Sequence, residues 1–279
     1  MKILITGANG MVARAAIKHC LEMGDVVSSY TRQNLNIAET DKVLSIISDE
    51  KPDAILNCAA YTNVDAAEEN REICFKVNAF GVENLARAAK GIGCKFLTIS
   101  TDYVFDGKKE GFYTQEDLPN PQGVYAESKL DGENRALIAY DKSIVVRTGW
   151  VFGFTGSNFL SVMAKLLSER KTIKAISDSY GTPTYANDLA RRLRELIVLN
   201  HSGIFHVSNA GRGISYLDFA LETCKIGDYD RSLVKVVSFG ELKRQADRPK
   251  NSRLRCLLSE QIGLSPMPNW KDALKRFMK

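Results

Sequence analysis

Along the first half of the chain, short runs rich in Ile, Leu and Val alternate with longer stretches whose apolar positions recur at helical spacing. The runs at 2–6, 25–31, 53–58, 95–100 and 143–148 read as strands, since continuous apolar character over so few residues fits a strand buried on both faces. Between them, 11–23, 39–50, 71–90 and 125–140 carry the pattern of amphipathic helices. Strands alternating with helices predict βαβ units, and right-handed crossovers then give an α/β fold with a doubly wound parallel sheet of Rossmann type. Ligands of such sheets sit beyond the carboxyl ends of the strands.

Past about residue 150 the alternation thins. A helix is predicted over 158–169, a strand over 172–176, a helix over 185–199 and a strand over 203–208. From Gly211 onward the pattern is loop-rich and closes with a helix over 270–278. This divides the chain into a large domain at 1–150 and a smaller C-terminal unit at 151–279, with 172–208 returning to the main sheet. No internal repeat, low-complexity tract or linker separates the two, so the second is expected to be built against the first.

Composition narrows the class. At 279 residues, 44% hydrophobic and 25% charged, the chain has the balance of an ordinary globular enzyme. Its formal charge of +5 comes from Lys and Arg spread along the sequence. That argues against a nucleic-acid partner and suits an anionic small molecule. Six cysteines (Cys20, Cys58, Cys74, Cys94, Cys224, Cys256) have no C-x-x-C pairing and read as reduced core thiols. No apolar run reaches the roughly 18 residues of a membrane span, and the first residues read as a strand rather than a signal peptide. The expectation is a cytoplasmic protein with no membrane partner.

Candidate chemistry begins at the first strand–helix junction, Thr6-Gly7-Ala8-Asn9-Gly10-Met11-Val12-Ala13. Gly7 permits a tight turn, Gly10 lets backbone approach a pyrophosphate at the helix N-terminus, and Ala13 is small enough for close helix–sheet packing. The spacing G-x-x-G-x-x-A points to a dinucleotide and makes residues 1–150 the dinucleotide-binding domain. An NAD site wants an acid about 20 residues on; Val27 to Arg32 has none. Arg32, with Ser29 or Thr31, could hold a 2′-phosphate, so NADPH is expected, with NADH left open.

Tyr125 and Lys129 begin the helix after the fourth strand and share one face of it. A phenol is a weak acid with a reference pKa of about 10, and a nearby ammonium is expected to favour its phenolate. Hydride transfer to a ketone needs such a proton donor for the nascent alkoxide. Lys129 can also reach a nicotinamide ribose. Ser100 or Thr101, at the carboxyl end of the fourth strand, can donate a hydrogen bond to a substrate carbonyl. A Y-x-x-x-K pair alone arises readily by chance. Its order after a glycine loop and a hydroxyl-bearing strand end gives it weight.

These features, with Asn57-Cys58-Ala59-Ala60-Tyr61-Thr62-Asn63-Val64-Asp65, Ser100–Gly107, Arg147–Gly153, Ser179–Thr184 and Arg248–Leu254, resemble the extended short-chain dehydrogenase/reductase family over nearly the whole chain. The resemblance implies Thr101, Tyr125 and Lys129 as a catalytic triad. It implies a cofactor surround of Gly7, Asn9, Gly10, Met11, Val12, Arg32, Asn36, Ile37, Ala59, Ala60, Thr62 and Ser100, with Tyr125 and Lys129. Asp102, Tyr103 and Trp150 would meet a deoxysugar, and Asn158 and Arg248 the nucleotide end. The implied reaction is NADPH-dependent reduction of the C4 ketone of a nucleotide-linked 4-keto-6-deoxyhexose. Its product would be a deoxysugar nucleotide such as dTDP-rhamnose, for cell-surface polysaccharide, made by a monomer or homodimer. Ala13 departs from the usual third glycine, Asn36 from a more usual aspartate, and Ser179-Tyr180 from a glutamine-containing pair.

Two alternatives remain. A sugar-nucleotide epimerase or dehydratase of the same family is opposed by the missing acid after the second strand. A non-catalytic NADP-binding regulatory subunit, related to the methionine adenosyltransferase β subunit, is opposed by the intact Thr101, Tyr125 and Lys129. The three histidines (His19, His201, His206) lack metal-ligand spacing, and no metal is expected. The acidic run Asp65–Glu69 reads as a helix-start cluster facing a dipole. The basic grouping Lys243, Arg244, Arg248, Lys250 and Arg253 reads as a solvated face that could screen a diphosphate.

Overall fold

The computed structural model describes residues 1–199, 201–242 and 244–279; Lys243 of the basic grouping lies outside them. In the first half the strands are β1 (Lys2–Thr6), β2 (Val26–Tyr30), β3 (Ala54–Asn57), β4 (Lys95–Thr101) and β5 (Ile144–Thr148). The helices are α1 (Met11–Glu22), α2 (Thr40–Glu50), α3 (Val64–Ala67), α4 (Arg71–Phe75), α5 (Gly81–Ile92) and α6 (Val124–Ala139). The sheet runs β2-β1-β3-β4-β5 and ends in a strand from the second half, Gly203–His206, with every pairing parallel. The order reverses between β1 and β3, and the crevice beyond their carboxyl ends is where a doubly wound sheet binds its ligand.

Burial follows from this topology. Ile3, Ile5, Leu56, Leu97 and Val146 pack under α1 on one face. Leu4, Ile55 and Phe96 pack under α2, α5 and α6 on the other. Central strands buried on both sides explain why the sequence showed apolar runs rather than alternation.

The second half supplies β6 (Val151–Phe152), α7 (Phe159–Ser168), β7 (Ile173–Ile176), β8 (Tyr180–Gly181), β9 (Thr184–Tyr185), α8 (Ala186–Val198) and β10 (Gly203–His206). It continues with β11 (Ile214–Ser215), α9 (Tyr216–Gly227), β12 (Val234–Val237), α10 (Leu257–Gln261) and α11 (Trp270–Phe277). Of the stretch 172–208, α8 packs on α1 and β10 lies in the main sheet, but β7 instead pairs in parallel with β12. Ile173 and Ala175 are buried in a separate core with Phe152, Met163, Phe219 and Trp270. That core also needs α9 and β12, which lie where only loops were expected.

The helix expected over 71–90 is not continuous. Between α4 and α5 the backbone widens into a π-helical segment, Lys76–Phe80. Such bulges let a side chain leave the helical face and often mark functional positions. Here the side chain is Asn78.

Candidate active site

The glycine loop turns as its sequence requires. Gly7 has φ +69°, and a Cβ there would lie 2.7 Å from the Ala59 amide nitrogen. The Gly10 amide donates to the Gly7 carbonyl at 2.8 Å, and Gly10 caps α1, whose first turn has neither an acidic residue nor a side-chain cap. Beside that turn lies a cavity of about 250 Å³ lined by Gly7, Gly10, Arg32, Asn36, Ile37, Ala59, Ala60 and Thr62, among others. These are eight of the residues expected around a dinucleotide. Arg32 is exposed on the rim and forms no ion pair among the described residues. Asn36 is turned to its own loop, donating to Glu39 and accepting from the Ala38 amide. The Asn9 carbonyl accepts from Arg14, Val12 packs against the core, and the Met11 sulfur meets the Ser161 hydroxyl at 3.7 Å.

Two polar relays that were not read from the sequence fix the sheet edge. Thr6 donates to Asn57 at 2.6 Å, Asn57 donates to Thr98 at 2.9 Å, and the Asn57 carbonyl oxygen accepts the Ala59 amide. Asn78 accepts the Tyr61 amide at 2.8 Å and donates to the Tyr61 carbonyl and to the Ser128 hydroxyl. Asn78 thereby ties the cofactor-side loop to α6, the helix bearing Tyr125 and Lys129. Helix α6 approaches the bulge at Gly132, where a Cβ would overlap the Asn78 carbonyl. The N-terminus of α6 is capped from outside: Glu68 accepts the Val124 amide at 2.9 Å.

Tyr125, Lys129 and Thr101 come together beyond β4, but the pairing differs from expectation. Burial pushes the Tyr125 phenol well above its ordinary range; Thr101 pulls it down, and Asp102 and Tyr103 push it up further. The Lys129 ammonium donates not to this phenol but to the Ile99 carbonyl at 2.7 Å. Burial lowers Lys129 to about 8, against the charge of Glu133. Tyr125 is therefore a neutral phenol carrying its proton, and Lys129 a buried cation close to its titration point.

Ser100, expected beside the cofactor or substrate carbonyl, points to α6 and donates to Glu133. Glu133 is also gripped by Arg147 through Nε and Nη2, at 3.0 and 2.7 Å. Both ions are buried, at 2% and 3% exposure. Strand alternation puts Ser100 and Thr101 on opposite faces, which leaves Thr101 alone to face the site. Thr101 donates to Asp102 at 3.1 Å and accepts the Tyr103 amide. The Asp102 carboxyl is buried against Gly149, its Oδ2 has no hydrogen-bond partner among the described residues, and burial raises its pKa to about 6.

The far wall comes from the C-terminal unit. Trp150 sits at φ +49°, a strained conformation for a large side chain. Its ring stacks on Tyr216 at 3.8 Å and 24°, and Gly181 lies so close beneath that any Cβ would overlap the indole. Tyr216 went unnoticed in the sequence. Its phenol feels Tyr103, Asp102, Arg244 and Arg248, so it belongs to the same cleft. Tyr103 stands edge-on to Tyr125, ring centres 6.0 Å apart. Asn158 is occupied structurally: it caps α7 by accepting the Ser161 amide and donates to the Val151 carbonyl. Ser179 is buried and Tyr180 lies under the Arg253 guanidinium. The acidic run is not simply a dipole complement, since Asp65 pairs with Arg248 and Glu69 accepts from Gln245.

Among the described residues, no group of three or more His, Cys, Asp or Glu side chains gathers as metal ligands. His206 is buried, its Nδ1 between the Tyr113 and Arg255 carbonyls, and burial lowers it to about 3. No helix among the described residues is long and apolar enough to cross a membrane.

Comparison with known proteins places this geometry. The profile of the RmlD substrate binding domain family matches residues 1–279. A dTDP-4-dehydrorhamnose reductase of Sinorhizobium fredii is 36% identical over 288 aligned positions, covering 100% of this chain and 97% of that protein. The crystal structure of a Clostridium acetobutylicum dTDP-4-dehydrorhamnose reductase superposes with a TM-score of 0.95 at 38% identity, covering 100% and 98%. That of a Bacillus anthracis dTDP-4-dehydrorhamnose reductase in complex with NADP gives 0.95 at 34%, covering 99% and 98%.

Proposed function

The chain belongs to the RmlD substrate binding domain family, and from that premise we propose that it reduces the C4 ketone of a nucleotide-linked 4-keto-6-deoxyhexose with NADPH. The substrate is dTDP-4-dehydrorhamnose and the product dTDP-rhamnose, a precursor for surface polysaccharide. The observation that carries the reading is the convergence of three elements on one cleft. These are the open α1 terminus with its glycine turn, the Thr101–Tyr125–Lys129 group, and the aromatic wall of Trp150 on Tyr216.

The residues fit the cofactor. Gly7 lets the Ala59 backbone close against the turn, where a Cβ would overlap it, the α1 amides offer a seat for pyrophosphate, and Arg32 stands where an acid would exclude a 2′-phosphate. Residues 1–150 hold the dinucleotide and 151–279 mainly the sugar nucleotide. NADPH, when bound, supplies the hydride. Tyr125, kept neutral by burial, gives its proton to the oxygen left negative at C4. Thr101 orients that oxygen, and the Lys129 ammonium, held by the Ile99 carbonyl, would grip the nicotinamide ribose. Tyr103 holds the sugar hydroxyls, with the buried Asp102 behind it as the partner of Thr101; Trp150 covers the methyl-bearing face, and Arg248 takes the diphosphate. Such an enzyme works in the cytoplasm, where NADPH and sugar nucleotides occur together.

The test is NADPH oxidation with dTDP-4-dehydrorhamnose and its UDP counterpart, followed by product identification. Stoichiometric NADP and a 4-hydroxy sugar nucleotide are expected. Tight NADP binding without turnover on either substrate would favour a regulatory subunit instead.

A further inference from the structure

The acidic run on α3 reaches across the cleft to the loop at 244–250. Asp65 Oδ1 accepts from Arg248 Nη1 at 2.9 Å and from the Ala246 amide at 3.1 Å, while Oδ2 accepts from Arg248 Nη2 at 2.7 Å. Arg248 Nη1 gives its other proton to the Ala246 carbonyl at 3.0 Å. Next to this clasp, Glu69 accepts from Gln245 at 2.8 Å. The loop is thus pinned to the dinucleotide-binding half at two side chains and one backbone amide.

The donor count says what remains. A guanidinium has five N–H groups. Besides a hydrogen bond to the Tyr103 hydroxyl, the guanidinium gives both protons of Nη1 and one of Nη2 to Asp65 and the Ala246 carbonyl, which leaves Nε–H and the second Nη2–H outside the clasp. Those two lie on one edge of the plane. It is the edge that Arg147 uses to grip Glu133. Arg248 therefore keeps a two-donor edge outside the clasp, beside the Tyr103 hydroxyl, of the kind that matches a phosphate. The fork is in the cleft, where Tyr103 stands edge-on to Tyr125 and Tyr216 stacks on Trp150, and the Arg248 charge reaches both phenols.

We propose that Asp65 is a positioning residue for substrate: it holds the outer edge of Arg248 so that the inner fork is presented to the diphosphate of the sugar nucleotide. This rests on the substrate class proposed above. Asp65 itself touches no reacting atom. Its carboxylate is held at about 2 by Arg248, so the clasp stays charged throughout the working range. A loop fixed in advance loses less freedom when the anion arrives, which is where the gain in affinity comes from.

The experiment titrates dTDP, and for the wild type UDP as well, into the protein saturated with NADP, by calorimetry, for wild type, Asp65→Asn, Asp65→Glu, Arg248→Ala and the double variant Asp65→Asn/Arg248→Ala. Asp65→Asn is expected to weaken dTDP about tenfold, the scale of one charge-assisted contact. Asp65→Glu keeps the carboxylate and is expected to recover most of that loss. In the Arg248→Ala background, Asp65→Asn is expected to cost nothing further, because the residue acts through Arg248. In turnover, KM for the sugar nucleotide should rise more than kcat falls, with NADP affinity unchanged. Unchanged or tighter dTDP binding by Asp65→Asn overturns the proposal, as does an equal loss with and without Arg248. If the wild type binds neither dTDP nor UDP, the substrate reading itself fails and the positioning role falls with it.

Discussion

Glu133 lies one helical turn beyond Lys129 and holds two things at once: the buried Arg147 guanidinium and, through space, the proton on Lys129. Replacing it by Gln removes a carboxylate that is 2% exposed and leaves a guanidinium 3% exposed without its counter-charge. Breaking a buried pair from one side costs about 3–5 kcal/mol. Gln keeps one oxygen for the Arg147 fork, so a loss near the lower bound is expected, still a large part of a typical stability of about 5–15 kcal/mol. The second consequence is chemical. Burial lowers Lys129 to about 8 and Glu133 opposes that shift. The wild-type reductase should therefore lose activity as pH rises through about 8, where the ammonium becomes neutral. With Gln at 133 the opposing charge is gone, and the alkaline limb should move to lower pH. The assays are urea unfolding and kcat/KM against pH at saturating NADPH. A Glu133→Gln protein with wild-type stability, or with an alkaline limb that stays in place or moves up, would refute this reasoning.

Three further outcomes are expected. Gly132→Ala puts a methyl group into the Asn78 carbonyl; overpacking of this kind costs about 1–3 kcal/mol, read as a lowered midpoint in denaturant, and unchanged stability would contradict the close approach. Arg32→Ala should raise KM for NADPH and leave that for NADH nearly unchanged, in steady-state kinetics with both cofactors; an unchanged preference would remove Arg32 from the cofactor account. Tyr216→Leu deletes the ring beneath Trp150; stacked aromatic pairs are worth about 0.5–1.5 kcal/mol beyond area burial, so KM for the sugar nucleotide should rise up to roughly tenfold with NADP affinity unaltered.

Much of the first half was legible because its physics is local. A strand buried on both faces is a short apolar run, and a helix N-terminus aimed at phosphate needs glycine where Gly7 and Gly10 stand. The second half was less so. Helix α9 follows two glycines, Gly211 and Gly213, and its apolar positions face a core assembled only when β7 and β12 pair, far apart in sequence. That long-range pairing also explains why β7 looked like a returning strand of the main sheet. Within the site, the order of Thr101, Tyr125 and Lys129 could be read, but their electrostatics could not. Spacing placed an ammonium near a phenol; the fold sent Lys129 to the Ile99 carbonyl. Ser100 was indistinguishable from Thr101 until the strand register turned it toward Glu133. Asn78 and Glu68, which hold the helix bearing Tyr125, carry no motif, since each acts on a partner about 50 residues away.

The central claim is that Tyr125 gives a proton to a substrate alkoxide in a cleft also holding NADPH. The most direct measurement is single-turnover reduction of dTDP-4-dehydrorhamnose by enzyme preloaded with NADPH, wild type against Tyr125→Phe. The account predicts that the variant binds NADPH and dTDP normally yet reduces the ketone at least about a hundredfold more slowly, the scale of a lost general acid. Equal single-turnover rates for the two proteins would contradict it.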